Sequence, residues 1–204
     1  TEVAFSNTQW LSGSGVTINT VGVGQKVGSS GVIGITATVM GFGDLEVTTY
    51  DTPEGGRGTF SPSLANIGLA YSKSFSNSIH GGILVRSISE AISNVRSSGI
   101  AFDAGIHYVT GPKDNVHFGI ALKNVGPAMR FAGDGLSVQG ILTTGSDQLT
   151  LEHRSASAEL PSLLNIGFGY DYHLNDMHRL TFSGTFISNS FTKDQGMLGV
   201  EYAF

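Results

Sequence analysis

The sequence predicts an all-β fold, a transmembrane antiparallel β-barrel with about ten strands present in one domain spanning residues 1–204. Three observations predict it. The chain is 40% hydrophobic but only 13% charged, a low charge density for a surface covered by water. No run approaches the ~18–20 uninterrupted apolar residues of a membrane helix, because 29 glycines interrupt every apolar stretch. Apolar residues recur instead at every second position, as in strands that face lipid on one side and a lumen on the other.

Turn signals divide the chain into strands near 2–11, 16–25, 31–50, 60–73, 79–87, 98–110, 115–125, 161–173, 178–187 and 196–204. Segment 31–50 is long for one strand, and Gly41-Phe42-Gly43 reads either as a bulge or as a break that would upset the strand parity. Ile79, Gly81, Ile83 and Val85 share one face of their strand, opposite His80, Gly82, Leu84 and Arg86. Ile100, Phe102, Ala104, Ile106 and Tyr108 repeat the pattern, as do Val116, Phe118, Ile120 and Leu122. Toward the C-terminus it continues with Leu164, Ile166, Phe168 and Tyr170, then Leu180, Phe182 and Phe186, then Leu198, Val200, Tyr202 and Phe204. In these segments the apolar face carries no charge, while the other face carries Arg86, Asp103, Lys123, Asp171, Arg179 and Glu201 among many glycines. A soluble sandwich would place a denser set of Lys, Glu and Thr on its polar face, so the sparse, glycine-rich face is assigned to a crowded barrel interior.

Short links at 26–30, 74–78, 111–115 and 174–177 alternate with longer ones at 51–59, 88–97, 126–160 and 188–195. Outer-membrane barrels have short periplasmic turns and long cell-surface loops, so both termini are expected on the periplasmic side. Tyr71, Tyr108, Tyr172, Tyr202 and Phe204 fall on the apolar face at that end, where an aromatic girdle belongs. The chain opens on Thr1 without an initiator Met or a signal peptide, so its start reads as a processing or truncation point.

A net charge of −5 without a basic cluster excludes a nucleic-acid footprint, and the absence of cysteine excludes disulfides and thiolate metal sites. The paired glycines at 13–15, 22–24, 41–43 and 167–169 are followed by no helical pattern, so they make no phosphate loop and imply no cofactor. His80, His107 and His117 share the inner face of three consecutive strands, where polar lumen positions tolerate imidazole, and no carboxylate stands out to orient them as metal ligands. Ser183 points inward without a matching inner His, so no catalytic constellation is expected. Arg86, Asp103, Arg179 and Glu201 read as lumen charges that pair with one another, with Arg179 and Glu201 as a cross-strand ion pair in the last hairpin. The insertion 126–160 is too polar for lipid and too long for a simple hairpin. Its Arg130, Phe131, Asp134, His153 and Arg154 are the candidate partner-binding residues of a cell-surface loop, with Asp147, Glu152 and Glu159 nearby.

Several phrases in order resemble the PorV/PorQ family of the type IX secretion system, outer-membrane barrels of FadL-like architecture. They are Thr1-Glu2-Val3-Ala4-Phe5 with Trp10-Leu11, Asn66-Ile67-Gly68-Leu69-Ala70-Tyr71-Ser72, and Ala101-Phe102-Asp103-Ala104-Gly105-Ile106-His107-Tyr108. Gly119-Ile120-Ala121-Leu122-Lys123-Asn124-Val125-Gly126, His178-Arg179-Leu180-Thr181 and Leu198-Gly199-Val200-Glu201-Tyr202-Ala203-Phe204 follow. The resemblance implies the C-terminal part of a 14-stranded barrel, with the family's first strands, plug segment and Asn-Pro-Ala motif not represented. It implies a multi-pass protein of the outer membrane, surrounded by lipid and lipopolysaccharide, with no enzymatic activity. A PorV-like member would receive cargo with a C-terminal β-domain from an SprA-type translocon and pass it to a cell-surface attachment complex. A PorQ-like member would be a scaffold of that complex, and the alternative from another class is FadL-like transport of a hydrophobic solute.

Overall fold

The computed structural model of the chain describes residues 1–141, 148–175 and 177–204. Asp147, within the insertion, and residue 176, within the fourth short turn, lie outside the described residues. Fifteen strands are described: β1 (Glu2–Trp10), β2 (Val16–Val27), β3 (Gly31–Gly41), β4 (Leu45–Glu46), β5 (Thr59–Phe60), β6 (Ser63–Ser74), β7 (Ile79–Ile92), β8 (Val95–Thr110), β9 (Val116–Val125), β10 (Phe131–Ala132), β11 (Ser137–Ile141), β12 (Gln148–Glu152), β13 (Leu163–His173), β14 (Arg179–Asn189) and β15 (Gln195–Ala203). The fold is all-β.

Ten of these strands form one antiparallel meander in the order β1-β2-β3-β6-β7-β8-β9-β13-β14-β15, with β10 added along β8. β1 and β15 are the edges of this sheet, and among the described residues no ladder joins them, so the sheet is open. The alternation that marked the strands is the alternation of the two faces. Its sense is the reverse of a soluble protein's: Ile106 is 61% exposed, Phe102 50% and Ile120 55%, whereas Ala101, on the opposite face of β8, is fully buried. Buried hydrophobic residues among those described are only Ile88, Ala101 and Met129. The inner face is concave, with a trough of about 690 Å³ running from Val32 on β3 to Ile187 on β14 over a floor of Gly82, Gly105, Gly119 and Gly167.

Two boundaries differ from the sequence reading. The expected loop 88–97 is mostly strand, because β7 and β8 pair as far as Ile92↔Val95 and are joined by Ser93 and Asn94 alone. Ser93 takes the left-handed conformation of such a tight turn, with φ 53°. This stretch reads as loop because the hairpin carries Ser, Glu and Arg beyond the apolar belt, where nothing requires one side to be greasy. The long segment 31–50 ends as a sheet strand at Gly41; β4 then pairs with β5 in a separate ribbon, so the parity of the main sheet is unchanged. The longest connections, 42–62 and 126–162, leave the same end of the sheet; among the described residues, the opposite end has the short turns 28–30, 75–78 and 111–115 and the link from His173 to Arg179.

Candidate functional site: the inner face and its folded insertion

The insertion is anchored where β9 ends. Register slips between β8 and β9, so that Ala104 pairs with Leu122 but Phe102 pairs with Val125, and Lys123 and Asn124 both stand opposite Asp103. This is a β-bulge, and Asn124 sits in the left-handed region at φ 59°, which Asn tolerates better than most residues. The Asn124 backbone N–H donates to Asp103 Oδ1 at 2.7 Å, and Arg86 Nη2 donates to the same oxygen at 2.7 Å. Arg86 also donates to Asn124 Oδ1, while Asn124 Nδ2 donates to the Pro161 carbonyl at 2.9 Å. One side chain therefore ties the start of the insertion to its end. Gly126 lies so close to the Ile100 carbonyl that a Cβ there would collide with it.

From this base the insertion turns inward. Met129 and Leu160 pack on Ile88 and Ala101 of the inner face, and Met129 and Ala158 exchange both backbone hydrogen bonds at 2.8 Å. Gly99 has no room for a side chain, since an added Cβ would lie 2.6 Å from Met129 Cγ. β10 then pairs with the projecting β7–β8 hairpin through Phe131↔Ser97 and Ala132↔Arg96. Over its described residues, the expected cell-surface loop is thus a folded element seated on the inner face at the end with the long connections. Arg130, Asp134, His153 and Arg154 are exposed on it, whereas Phe131 is half-buried and held at its backbone by the Ser155 hydroxyl.

A second polar network crosses the opposite end of the inner face. Ser74 Oγ and His80 Nδ1 are 2.9 Å apart, and His80 stands directly across from His107 with ring centroids 6.0 Å apart. His107 stacks on His117 at 5.6 Å with the rings nearly parallel. His117 Nε2 lies 3.4 Å from Asp171 Oδ2, which corrects the expectation that no carboxylate addresses these rings. Asp171 Oδ1 accepts a hydrogen bond from Thr181 at 2.6 Å. Arg179 lies 3.9 Å from Asp171 and 3.8 Å from Glu201, spanning the two carboxylates. Its register is diagonal, because Arg179 faces Ala203 and Glu201 faces Thr181.

Asp171 and Asn124 are the residues that the sequence reading did not assign to a role. For Asn124 a signal was available: Leu122 and Val125, both outward, are three apart where strict alternation demands an even spacing. Asp171 was recognisable as an inner charge, but its partners depend on the registers of β9, β13 and β14 together. Stacked imidazoles point their nitrogens past one another, and among the described residues no three His, Asp or Glu side chains converge to hold a metal ion. Ser183 Oγ bonds the Gly199 carbonyl at 3.3 Å. Comparison with protein-family models and with curated proteins returns no match to this chain.

Proposed function

We propose that the chain forms part of a transmembrane outer-membrane β-barrel acting as a non-enzymatic, PorV-like component of the type IX secretion system. The observation that carries the membrane reading is the inverted burial: Ile106, Ile120 and Phe102 are at least half exposed on a continuous apolar face, while the concave face carries most of the glycines and polar side chains, with Val32, Ala121 and Ile187 among them. In water such a face would drive aggregation, and in lipid it is the lowest-energy arrangement. Lipid equally forbids the unpaired edges of β1 and β15, so in the membrane further strands pair with them and close the barrel. The secretion role is supported by the order of the sequence phrases and by a folded insertion that presents Arg130, Asp134, His153 and Arg154 at the end assigned to the cell surface. These would meet an SprA-type translocon subunit, cargo with a C-terminal β-domain, or a surface attachment complex.

The test is co-purification of the full-length protein from native membranes followed by mass spectrometry. Recovery of a giant translocon subunit or of such cargo is the expected result. Deleting 130–156 should weaken recovery yet leave the barrel folded, because Asn124, Met129, Ala158, Leu160 and Pro161, which anchor the insertion, lie outside the deletion. The trough of about 690 Å³ favours a second reading, FadL-like transport of a hydrophobic solute. Uptake of labelled fatty acid without either partner would select it.

A further inference from the structure

A furrow of about 400 Å³ crosses the outer face near the short-turn end, and the strand registers explain its place. Lys73, Gly81 and Ile106 stand in one cross-strand row of β6, β7 and β8, and Tyr71, Ile83 and Ala104 stand in the next. Bulky side chains thus surround two small ones on a diagonal. Gly81 admits the ring of Phe75 from the following turn, since an added Cβ would lie 2.9 Å from Phe75 Cε2. Ala104 leaves the remaining gap, walled by Ile83 and Ile106.

The same rows bring polar groups to the mouth of the furrow. Lys73 Nζ stands 5.9 Å from the centroid of the Phe75 ring. Because that ring lies where a Gly81 side chain would point, the ammonium belongs to the outer side of the sheet. The Tyr71 hydroxyl reaches down beside Gly31, where an added Cβ would lie 3.2 Å from it, and Gly31 is the residue paired with Lys73. Hydroxyl and ammonium therefore flank one level. Among the described lining residues Lys73 carries the only charge. The turns on either side of it, 28–30 and 75–78, hold no charged residue, and Asp103, beside Ala104 in the chain, alternates to the inner face.

We propose that this furrow binds a glycerophospholipid of the periplasmic leaflet, with one acyl chain along Ile83, Ala104 and Ile106 and the phosphate at Lys73 and the Tyr71 hydroxyl. An apolar groove with a cation and a hydroxyl donor at its headgroup end matches both parts of such a lipid, whereas a water-soluble anion would leave the groove unfilled and a neutral oil would leave the ammonium unmatched. A net anionic head group is favoured, because a zwitterionic one brings an ammonium of its own to compete with Lys73. The site rests on the membrane reading of the outer face, and not on the secretion role.

The experiment is native mass spectrometry of the full-length protein released from detergent micelles that contain equal amounts of phosphatidylglycerol and phosphatidylethanolamine with the same acyl chains. Phosphatidylglycerol should be retained in preference by about fivefold, the effect of one interfacial cation on an anionic lipid. Lys73→Met should abolish the preference, and Lys73→Arg should keep it. Ala104→Phe, which fills the furrow, should reduce retention of both lipids. Glycerol 1-phosphate, which has the phosphate but no chain, should not displace the lipid. Equal retention of the two lipids by the unaltered protein, an unchanged preference in Lys73→Met, or displacement by glycerol 1-phosphate overturns the site. Flotation of the same protein with liposomes reads the membrane assignment separately: failure to float overturns that assignment and the site with it, whereas flotation with equal lipid retention overturns the site alone.

Discussion

Asp103 Oδ1 accepts the backbone N–H of Asn124 at 2.7 Å, and this bond turns a register slip between β8 and β9 into an anchor for the insertion. Asp103 and Arg86 both have side chains that are 16% exposed, so removing the charge of either leaves its partner poorly solvated. Asp103→Asn should cost about 1–3 kcal/mol by urea unfolding in liposomes. Asn124→Gly, which keeps access to φ 59°, should release the insertion to proteolysis. Asn124→Ala should do so and cost about 1–2 kcal/mol more, for a left-handed residue with a Cβ. Equal stability of the Gly and Ala variants would show that the left-handed backbone is not maintained there.

The inward seat of the insertion rests on few contacts, and Met129 is the most buried of them, at 4% exposure. Met129→Ala should speed cleavage within the insertion by limited proteolysis, with the β-sheet circular dichroism of the protein unchanged. Gly99→Val should act more strongly, since its side chain would occupy the space of Met129 Cγ. Unchanged cleavage in both variants would mean that the insertion does not pack on the inner face.

On the proposed outer-membrane reading, the two ends of the sheet should be distinguishable from outside the cell. Arg154 is exposed on the insertion, and Asn77 is exposed in the turn at the other end. The variant Arg154→Cys should react with a membrane-impermeant thiol reagent on intact cells, and Asn77→Cys only after the outer membrane is opened. Equal labelling on intact cells would reverse or abolish the orientation.

The strands were legible because each alternates strictly inside the apolar belt; the β14–β15 ladder, with Leu180 opposite Tyr202 and Phe182 opposite Val200, follows directly from that period. Legibility ended where the belt ends. The β7–β8 extension from Ile88 to Gly99 is strand without an apolar outer face, and only the pairing of Ala91 with Arg96 and Ile92 with Val95 reveals it. The inward fold of the insertion was hidden for another reason: Met129 and Leu160 are isolated apolar residues in a polar stretch, and their partners Ile88 and Ala101 lie on strands far away in sequence. Aromatic placement at the C-terminus was legible in part, and the structure adds His178, whose ring stacks on Tyr202 at 5.7 Å and shares a 2.6 Å hydrogen bond with its hydroxyl.

Ile120 and Phe168 lie on adjacent strands of the outer face, and both are largely exposed. If the outer face meets lipid, as proposed, replacing either by Arg should impair insertion into liposomes by about 2–4 kcal/mol, because a charge near the bilayer midplane must give up its water. On the inner face Gly167 has room for a side chain, since an added Cβ would meet Thr185 Oγ1, its nearest neighbour, at an ordinary contact distance of 3.8 Å. Gly167→Ser should therefore be nearly silent. Wild-type insertion by Ile120→Arg would sink the assignment of the faces.

Arg179 serves two carboxylates unequally, and this sets what a double-mutant cycle should read. Glu201 is 69% exposed and Arg179 44%, at 3.8 Å, so solvent and salt screen the pair, and its coupling should stay below about 0.5 kcal/mol. Asp171 is 15% exposed and is additionally held by the Thr181 hydroxyl and His117, so its longer 3.9 Å contact lies in a less hydrated setting. Coupling of Arg179 with Asp171 should reach about 1 kcal/mol and persist better in salt. The measurement is urea unfolding in liposomes of Arg179→Met combined first with Glu201→Gln and then with Asp171→Asn, at low and high salt. The diagonal placement of Arg179 and Glu201 makes the first pair more useful for fixing the register of β15 than for stability, because slipping β15 by two residues would separate them. A larger coupling to Glu201 than to Asp171 would mean that the last hairpin, rather than the β13–β14 pair, holds the arginine.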